Sequence, residues 1–400
     1  MGLNDTVSAE RLHIGFFGMR NAGKSSLVNA FTGQALSVVS DIRGTTTDPV
    51  RKAMELLPLG PIVVIDTPGL DDEGELGELR VKKAREVLAK TDAAVLVVDS
   101  ASGLSAEDKE LVKLFEERKL PYIIAYNKAD LLKSRPPLEG SAIYVSAVTG
   151  ENVNALRDRL GEFSDSLKNE KRIVSDLLSD GDIAVLVIPV DAAAPKGRLI
   201  LPQQQTMREL LDAHCSFVGC QPEELAGVLG SLGKKTRLVI TDSQAFGRVS
   251  KGVPADIPLT SFSILFARYK GELAELIKGA AALSRLNDGD RVLISEGCTH
   301  HRQCGDIGTV KIPKWIEEYS GAKPEYTFTS GGGFPEELSG FSLIVHCGGC
   351  MLNEKEMQRR TEEARAAGVP IVNYGIAIAH MHGILSRSLE LFPDMLHLLK

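Results

Sequence analysis

The sequence predicts an α/β protein of more than one domain, opening with a mostly parallel sheet. Three observations carry that reading. The chain has 400 residues, too many for one compact core. Four solidly apolar runs, LHIGFF (12–17), PIVVID (61–66), AAVLVVD (93–99) and PYIIAYN (121–127), alternate with helix-like stretches. Strands buried on both faces of a parallel sheet read in that way. The first run leads directly into Gly18-Met19-Arg20-Asn21-Ala22-Gly23-Lys24-Ser25, a GxxxxGKS loop.

The helical stretches of this first region fall at 24–31, 78–90, 106–118 and 153–167. In an open parallel sheet, ligands bind at the carboxyl ends of the strands, and every motif of this region lies there. In the GxxxxGKS loop, glycines let the backbone wrap phosphates. Amides from Gly18, Asn21, Ala22 and Gly23, and the start of the helix at Lys24, Ser25 and Ser26, face the negative charge. Lys24 is placed to reach the β and γ phosphates, and the Ser25 hydroxyl to coordinate Mg²⁺. Asp66-Thr67-Pro68-Gly69 closes the second run: Asp66 can hold Mg²⁺ through water and the Gly69 amide can meet the γ-phosphate. Gly44-Thr45-Thr46-Thr47 lies in a polar loop between these motifs, with Thr46 the expected switch threonine on Mg²⁺ and Thr45 the alternative.

Asn127-Lys128-Ala129-Asp130 closes the fourth run. Asp130 can accept two hydrogen bonds from the N1–H and 2-amino group of guanine. Adenine offers neither, and a site built to pair such groups rejects analogues lacking them. Ser146-Ala147, after AIYV, can supply an amide to the guanine O6. The expected ligands are therefore GTP and GDP with Mg²⁺.

Beyond a polar segment at 164–172, LSDGDIAVLVIPVD (178–191) and KKTRLVITDS (234–243) read as strands. APKGRLILPQQQTMRELL between them reads as a loop, a short strand and a helix. No phosphate loop, paired carboxylates or nucleophile constellation appears in this smaller α/β region, which suits a role in association. His214, Cys215 and Cys220 lie close together, but buried free thiols explain them better than metal.

In the C-terminal region, 286–297 and 341–350 read as strands ending at Cys298-Thr299-His300 and at His346-Cys347-Gly348-Gly349-Cys350. A third strand is expected within 369–383, followed by His380 and His382. Three thiolates meeting at one sheet edge can hold zinc, with an imidazole as fourth ligand, or an iron–sulfur cluster with one weakly held iron. The local chemistry leaves both open.

Net charge is −7, aromatic residues are 5% of the chain and no basic stripe is evident, so nucleic acid is not an expected partner. No apolar run reaches the length of a membrane span and no leader-like segment is recognised, so no membrane partner and a cytoplasmic location are expected.

GTTTD, DTPG and NKAD, together with Asn21 in the phosphate loop, make the first region resemble the TrmE and Era class of bacterial GTPases. That resemblance implies K⁺ beside the phosphates at Asn21, supplying charge where other enzymes use an arginine finger. It gives Lys24, Thr46 and Asn21 the catalytic roles. Leu70 follows DTPG where Ras-like enzymes carry a water-orienting glutamine, so intrinsic turnover should be slow.

CTH at 298–300 and HCGGC at 346–350, with the gap 301–345 between them and such a GTPase region upstream, resemble the FeFe-hydrogenase maturation GTPases of the HydF family. The resemblance implies three domains: a GTPase domain at 1–168, a dimerisation domain at 169–262 and a 4Fe-4S cluster-binding domain at 263–400. It implies a cluster on Cys298, Cys347 and Cys350, with the fourth site open or held by an exchangeable group such as His300 or His346. It also implies a homodimer that carries a transient diiron subcluster, receives it from the radical-SAM maturases HydE and HydG, and delivers it to the apo-hydrogenase HydA. The competing reading is a regulatory TrmE/Era-like GTPase with a structural zinc domain that acts on RNA or ribosomes.

Overall fold

The computed structural model describes residues 11–33, 50–67, 86–167, 171–190, 199–271, 273–297, 306–331 and 333–399. The chain divides into two units, Met1–Asn169 and Glu170–Lys400.

The first unit is built on six strands: β1 (Leu12–Phe17), β2 (Val50–Leu56), β3 (Gly60–Asp66), β4 (Ala93–Asp99), β5 (Tyr122–Asn127) and β6 (Ala142–Tyr144). Their order is β2-β3-β1-β4-β5-β6. All neighbours run parallel except β2, which is antiparallel to β3. The expected runs are solidly apolar because both faces are covered. Ile14, Phe16, Val64, Val95 and Val97 enter one core, while Phe17, Ile65, Leu96 and Val98 enter the other. Each large side chain so buried stabilises the fold by about 1.5–3 kcal/mol. The β2 strand, VRKAMEL, escapes that template because it is an edge with alternating burial.

The helix Lys24–Thr32 buries Leu27, Val28 and Phe31 on the sheet, with the Phe31 ring edge-on to Phe16 at 5.4 Å. The helix Ala106–Glu117 starts at a capping box, Ser105 Oγ accepting from the Asp108 amide and the Asp108 carboxylate from the Ser105 amide. The expected helix at 153–167 is two pieces, Val153–Gly161 and Ser164–Leu167. Most of the expected 78–90 helix lies outside the described residues.

The second unit holds two four-stranded, all-parallel sheets. The first comprises β7 (Ile183–Val187), β8 (Ser216–Cys220), β9 (Thr236–Thr241) and β10 (Leu259–Ser261), in the order β10-β9-β7-β8. The second comprises β11 (Arg291–Glu296), β12 (Glu325–Ser330), β13 (Leu343–His346) and β14 (Ile371–Asn373), in the order β12-β11-β13-β14. The short strand expected before PQQQ is absent from the described residues: Leu201 already opens the helix Leu201–Asp212, with Pro202 in its first turn. The strand expected within 369–383 is only Ile371–Asn373. The Asn373 side chain then accepts from the Ile376 amide and caps the helix Tyr374–Met381, which carries His380 away from the sheet edge.

The helix Phe262–Lys270, capped by Ser261, serves both sheets. Phe262, Leu265 and Phe266 enter the core of the first sheet, and Ile264 and Ala267 that of the second.

Candidate functional site

The phosphate loop joins β1 to the helix Lys24–Thr32. Gly23 has φ +85°, and a Cβ there would stand 2.3 Å from the Asn127 Nδ2, so only glycine fits. Asn21 is also left-handed, at φ 62°, a conformation that Asn tolerates better than most residues. Lys24 is buried and donates to the carbonyls of Gly18 (2.7 Å) and Met19 (2.6 Å), so its ammonium lies over the mouth of the loop.

Asp66, at the end of β3, is fully buried. Its Oδ2 accepts from Ser25 Oγ at 2.6 Å, while its buried Oδ1 has no hydrogen-bond partner among the described residues. Burial pushes its carboxyl above the ordinary range, against the Ser25 hydrogen bond and the charges of Lys24 and Lys52. A buried carboxylate with an open oxygen beside a serine hydroxyl suits Mg²⁺, whose charge would restore the ionised form. Ser25 and Asp66 would hold that ion, which supplies charge neutralisation between the phosphates. Lys52 was not singled out by the sequence, because a lysine on an edge strand reads as solvent-facing; it is buried and donates to Asn29 Oδ1.

Asn127 ties the two ends of the site together. Its Nδ2 donates to the Ala22 carbonyl at 3.0 Å, and its Oδ1 accepts from the Ala147 amide at 3.0 Å. Lys128, at φ 62°, pairs with Asp99 at 2.6 Å. Burial alone would raise the Asp99 carboxyl, but the Lys128 and Ala101 hydrogen bonds hold it below the ordinary range. Asp130 is exposed on the short turn Ala129–Leu131, its carboxylate open to a base. Ser146 is fully buried, with its amide donating to the Glu151 carbonyl and its hydroxyl accepting from the Thr149 amide. Ser26 lies in the first turn of the helix. Thr45, Thr46 and Gly69 lie outside the described residues.

The second constellation sits at the carboxyl edge of the β12-β11-β13-β14 sheet. Cys347 follows β13, and its Sγ accepts the Gly297 amide at 3.0 Å and the Gly349 amide at 3.4 Å. Gly297 immediately precedes Cys298, so the end of β11 reaches the Cys347 sulfur. Amides aimed at sulfur favour a thiolate, and a CxxC turn meeting the chain that leads to a third cysteine suits an iron–sulfur cluster or zinc. Burial pushes the Cys350 thiol up, opposed by the Lys270 charge and nearby amides. Cys298 and His300 lie outside the described residues.

His346 is fully buried and both its ring nitrogens are engaged. Nδ1 lies 2.7 Å from the Cys347 carbonyl and Nε2 2.9 Å from the Arg360 guanidinium. Burial first, and the Arg360 charge second, push it down to about 4, so it is a neutral imidazole. As Nδ1 donates to the carbonyl, Nε2 accepts from Arg360, and no lone pair faces a metal. Arg360 itself is fully buried and pairs with the buried Glu356 at 2.9 Å. A polar helix such as EKEMQRRTEEARA reads as solvated, which hides this network in the sequence. His380 faces the Tyr319 hydroxyl at 3.0 Å, away from the cysteines' strand ends.

A phosphate loop, a buried Ser25–Asp66 pair and an NKAD turn at the carboxyl edge of one parallel sheet define a P-loop GTPase, which binds GTP and GDP with Mg²⁺ and hydrolyses GTP. A family model described as a 50S ribosome-binding GTPase matches residues 13–128. The tRNA modification GTPase MnmE of Nitrosomonas europaea is 36% identical over 156 residues, 38% of this chain and 34% of that protein. MnmE of Thiobacillus denitrificans is 36% identical over 155 residues, 38% of this chain and 33% of that protein. The chain thus spans about a third of the length of the curated relatives it matches. Among solved structures, Era of Aquifex aeolicus aligns with TM-score 0.35 and 17% identity, over 80% of this chain and 93% of that one. Bacterial selenocysteine-specific elongation factor EF-Sec aligns with TM-score 0.32 and 17% identity, over 40% of this chain and 30% of that one.

The hydrogen maturase F dimerization domain matches residues 173–271, and the hydrogen maturase F tetramerization domain matches residues 274–391. The chain belongs to the hydrogen maturase F (HydF) family. The C-terminal region, expected from its cysteines to serve a cluster, is thus matched by a domain named for association. Among the described residues, no helix is long and apolar enough to cross a membrane.

Proposed function

We propose that this chain is the GTP-hydrolysing scaffold of FeFe-hydrogenase maturation. It carries a 4Fe-4S cluster on Cys298, Cys347 and Cys350 and a transient diiron subcluster as cargo. The cargo comes from HydE and HydG and passes to apo-HydA. The observation that carries this reading is the Gly297 amide on Cys347 Sγ, which brings the chain entering Cys298 onto the Cys347–Cys350 loop. The exchangeable fourth site is left open or held by His300 or a small ligand, a reading supported by the engagement of both His346 nitrogens. An open fourth iron site can accept and release a bridging ligand, which a site closed by four thiolates cannot.

The division into 1–168, 169–262 and 263–400 assigns GTP hydrolysis, dimer formation and cluster binding in turn. Dimers pair further through the last region, in keeping with its tetramerization match. The protein works in the cytoplasm without nucleic acid. GTP acts as a switch for domains or partners. Lys24 and Thr46 contact the phosphates and Mg²⁺, and Asn21 holds K⁺. Gly18, Ala22, Gly23, Ser26, Thr45 and Gly69 line the phosphates, and Asn127, Lys128, Asp130, Ser146 and Ala147 frame the base.

The test is anaerobic iron and sulfide analysis with EPR of the dithionite-reduced protein, wild type against Cys347→Ser. About four irons per chain and a reduced-cluster signal, both lost in the variant, are expected. One zinc per chain and no signal would overturn the carrier reading and leave the zinc-domain GTPase.

A further inference from the structure

The helix Phe262–Lys270 ends beneath the loop that carries Cys347 and Cys350. Lys270 is 4% exposed. Its Nζ donates to the Leu352 carbonyl at 2.9 Å and reaches those of Gly349 and Cys350 at 3.4 Å each. A buried ammonium keeps its charge only where acceptors replace lost water, and converging carbonyls do so here. The loop is held from a second side as well. Gly349 has φ +61°, and a Cβ there would stand 2.4 Å from the Met357 Sδ. Further back along the helix, Phe262, Leu265 and Phe266 are locked in the core of the β10-β9-β7-β8 sheet. A single rigid element therefore runs from that sheet to the cysteine loop.

We propose that Lys270 is a positioning residue for the cluster site: its ammonium pins the Cys347–Cys350 loop to the helix shared by both cores and fixes the reduction potential of a cluster bound there. The inference rests on the cluster reading of Cys298, Cys347 and Cys350. A cluster on three thiolates carries net negative charge, which grows on reduction. A buried cation beside it favours the reduced form and raises the potential. Pinning the carbonyls also keeps the Gly349 amide aimed at the Cys347 sulfur.

The test compares full-length wild type, Lys270→Met and Lys270→Arg after anaerobic reconstitution. Midpoint potential is read by EPR-monitored titration and cluster release by the rate of iron transfer to a chelator. Lys270→Met removes the charge at similar volume, so a more negative potential and about tenfold faster release are expected. Lys270→Arg retains the charge, but its planar fork does not meet three converging carbonyls; a potential near wild type with faster release is expected. An unchanged potential in Lys270→Met overturns the inference even if release is faster, because lost packing alone would speed release. If Lys270→Met cannot be reconstituted, Lys270→Gln is read in its place: a more negative potential supports the inference and an unchanged one overturns it. A wild-type chain that takes up no iron overturns the cluster reading itself, an outcome distinct from either variant's behaviour.

Discussion

Replacing Arg360 by Met should unfold the C-terminal sheet far more easily than any surface substitution. Arg360 Nε donates to Glu356 Oε1 at 2.9 Å with both side chains fully buried. Its other nitrogens reach His346 Nε2 at 2.9 Å and the Gly331 carbonyl at 2.8 Å, and the guanidinium stands 5.0 Å from the Phe334 ring. Removing one member of a buried pair strands the other charge at a cost of about 3–5 kcal/mol. Arg359 remains 2.9 Å from Glu356, which places the loss near the lower end, about 3 kcal/mol. Trp315, the chain's one tryptophan, packs on the same core, so urea unfolding followed by its fluorescence reports this region alone. With a slope of about 2 kcal/mol per molar urea, the midpoint should fall by about 1.5 M. Adding Glu356→Gln should recover much of the loss, because no charge is then stranded. A shift below about 0.5 M in Arg360→Met, or a double variant no better than the single, would refute the reasoning.

The same fluorescence assay should show acid sensitivity centred on His346. Its pKa falls from 6.5 in the unfolded chain to about 4 in the fold. Between those values the unfolded chain takes up a proton that the fold refuses, so stability falls as pH drops through the window, by about 2 kcal/mol at pH 5. His346→Gln should flatten that dependence, and parallel wild-type and variant profiles would count against it. At the base site, Asp130→Asn should turn preference from GTP toward XTP, since an amide donates where xanthine presents a carbonyl; competition binding with both nucleotides checks this. GTP turnover should be faster in K⁺ than in Na⁺ at equal ionic strength, and Asn21→Ala should abolish the difference. Equal wild-type rates in the two salts would exclude the ion.

The nucleotide site was legible because its chemistry is local. Asp66 and Asn127-Lys128-Ala129-Asp130 close buried strands and Gly23-Lys24-Ser25 opens the helix that follows one, and strands buried on both faces announce themselves as apolar runs. Edge strands do not. The strands β2, β8 and β12 were missed because half-exposed edges alternate or run short. The third C-terminal strand was read too long because GIAIAHM is apolar enough for either element. Only the Asn373 cap, a side chain on a backbone amide, turns it into a helix. Lys52, Lys270 and Arg360 share another cause: a long charged side chain reads as solvated, and burial is decided by partners distant in sequence. Lys270 meets its acceptors at residues 349–352, which no local pattern foretells.

Asn127 has a consequence for how this site could change its diet of nucleotides. One amide side chain braces the loop that grips phosphate and the loop that borders the base. A new base preference entering at Asn127 would loosen the grip on every nucleotide at once, because the brace is common to both tasks. Asp130 stands outside that brace, exposed on its turn. Lys128 is tied to Asp99 in turn, so of the three polar positions in the motif only Asp130 is open to evolutionary experiment without injury to the rest, and a lineage that altered its nucleotide would be expected to bear the mark there.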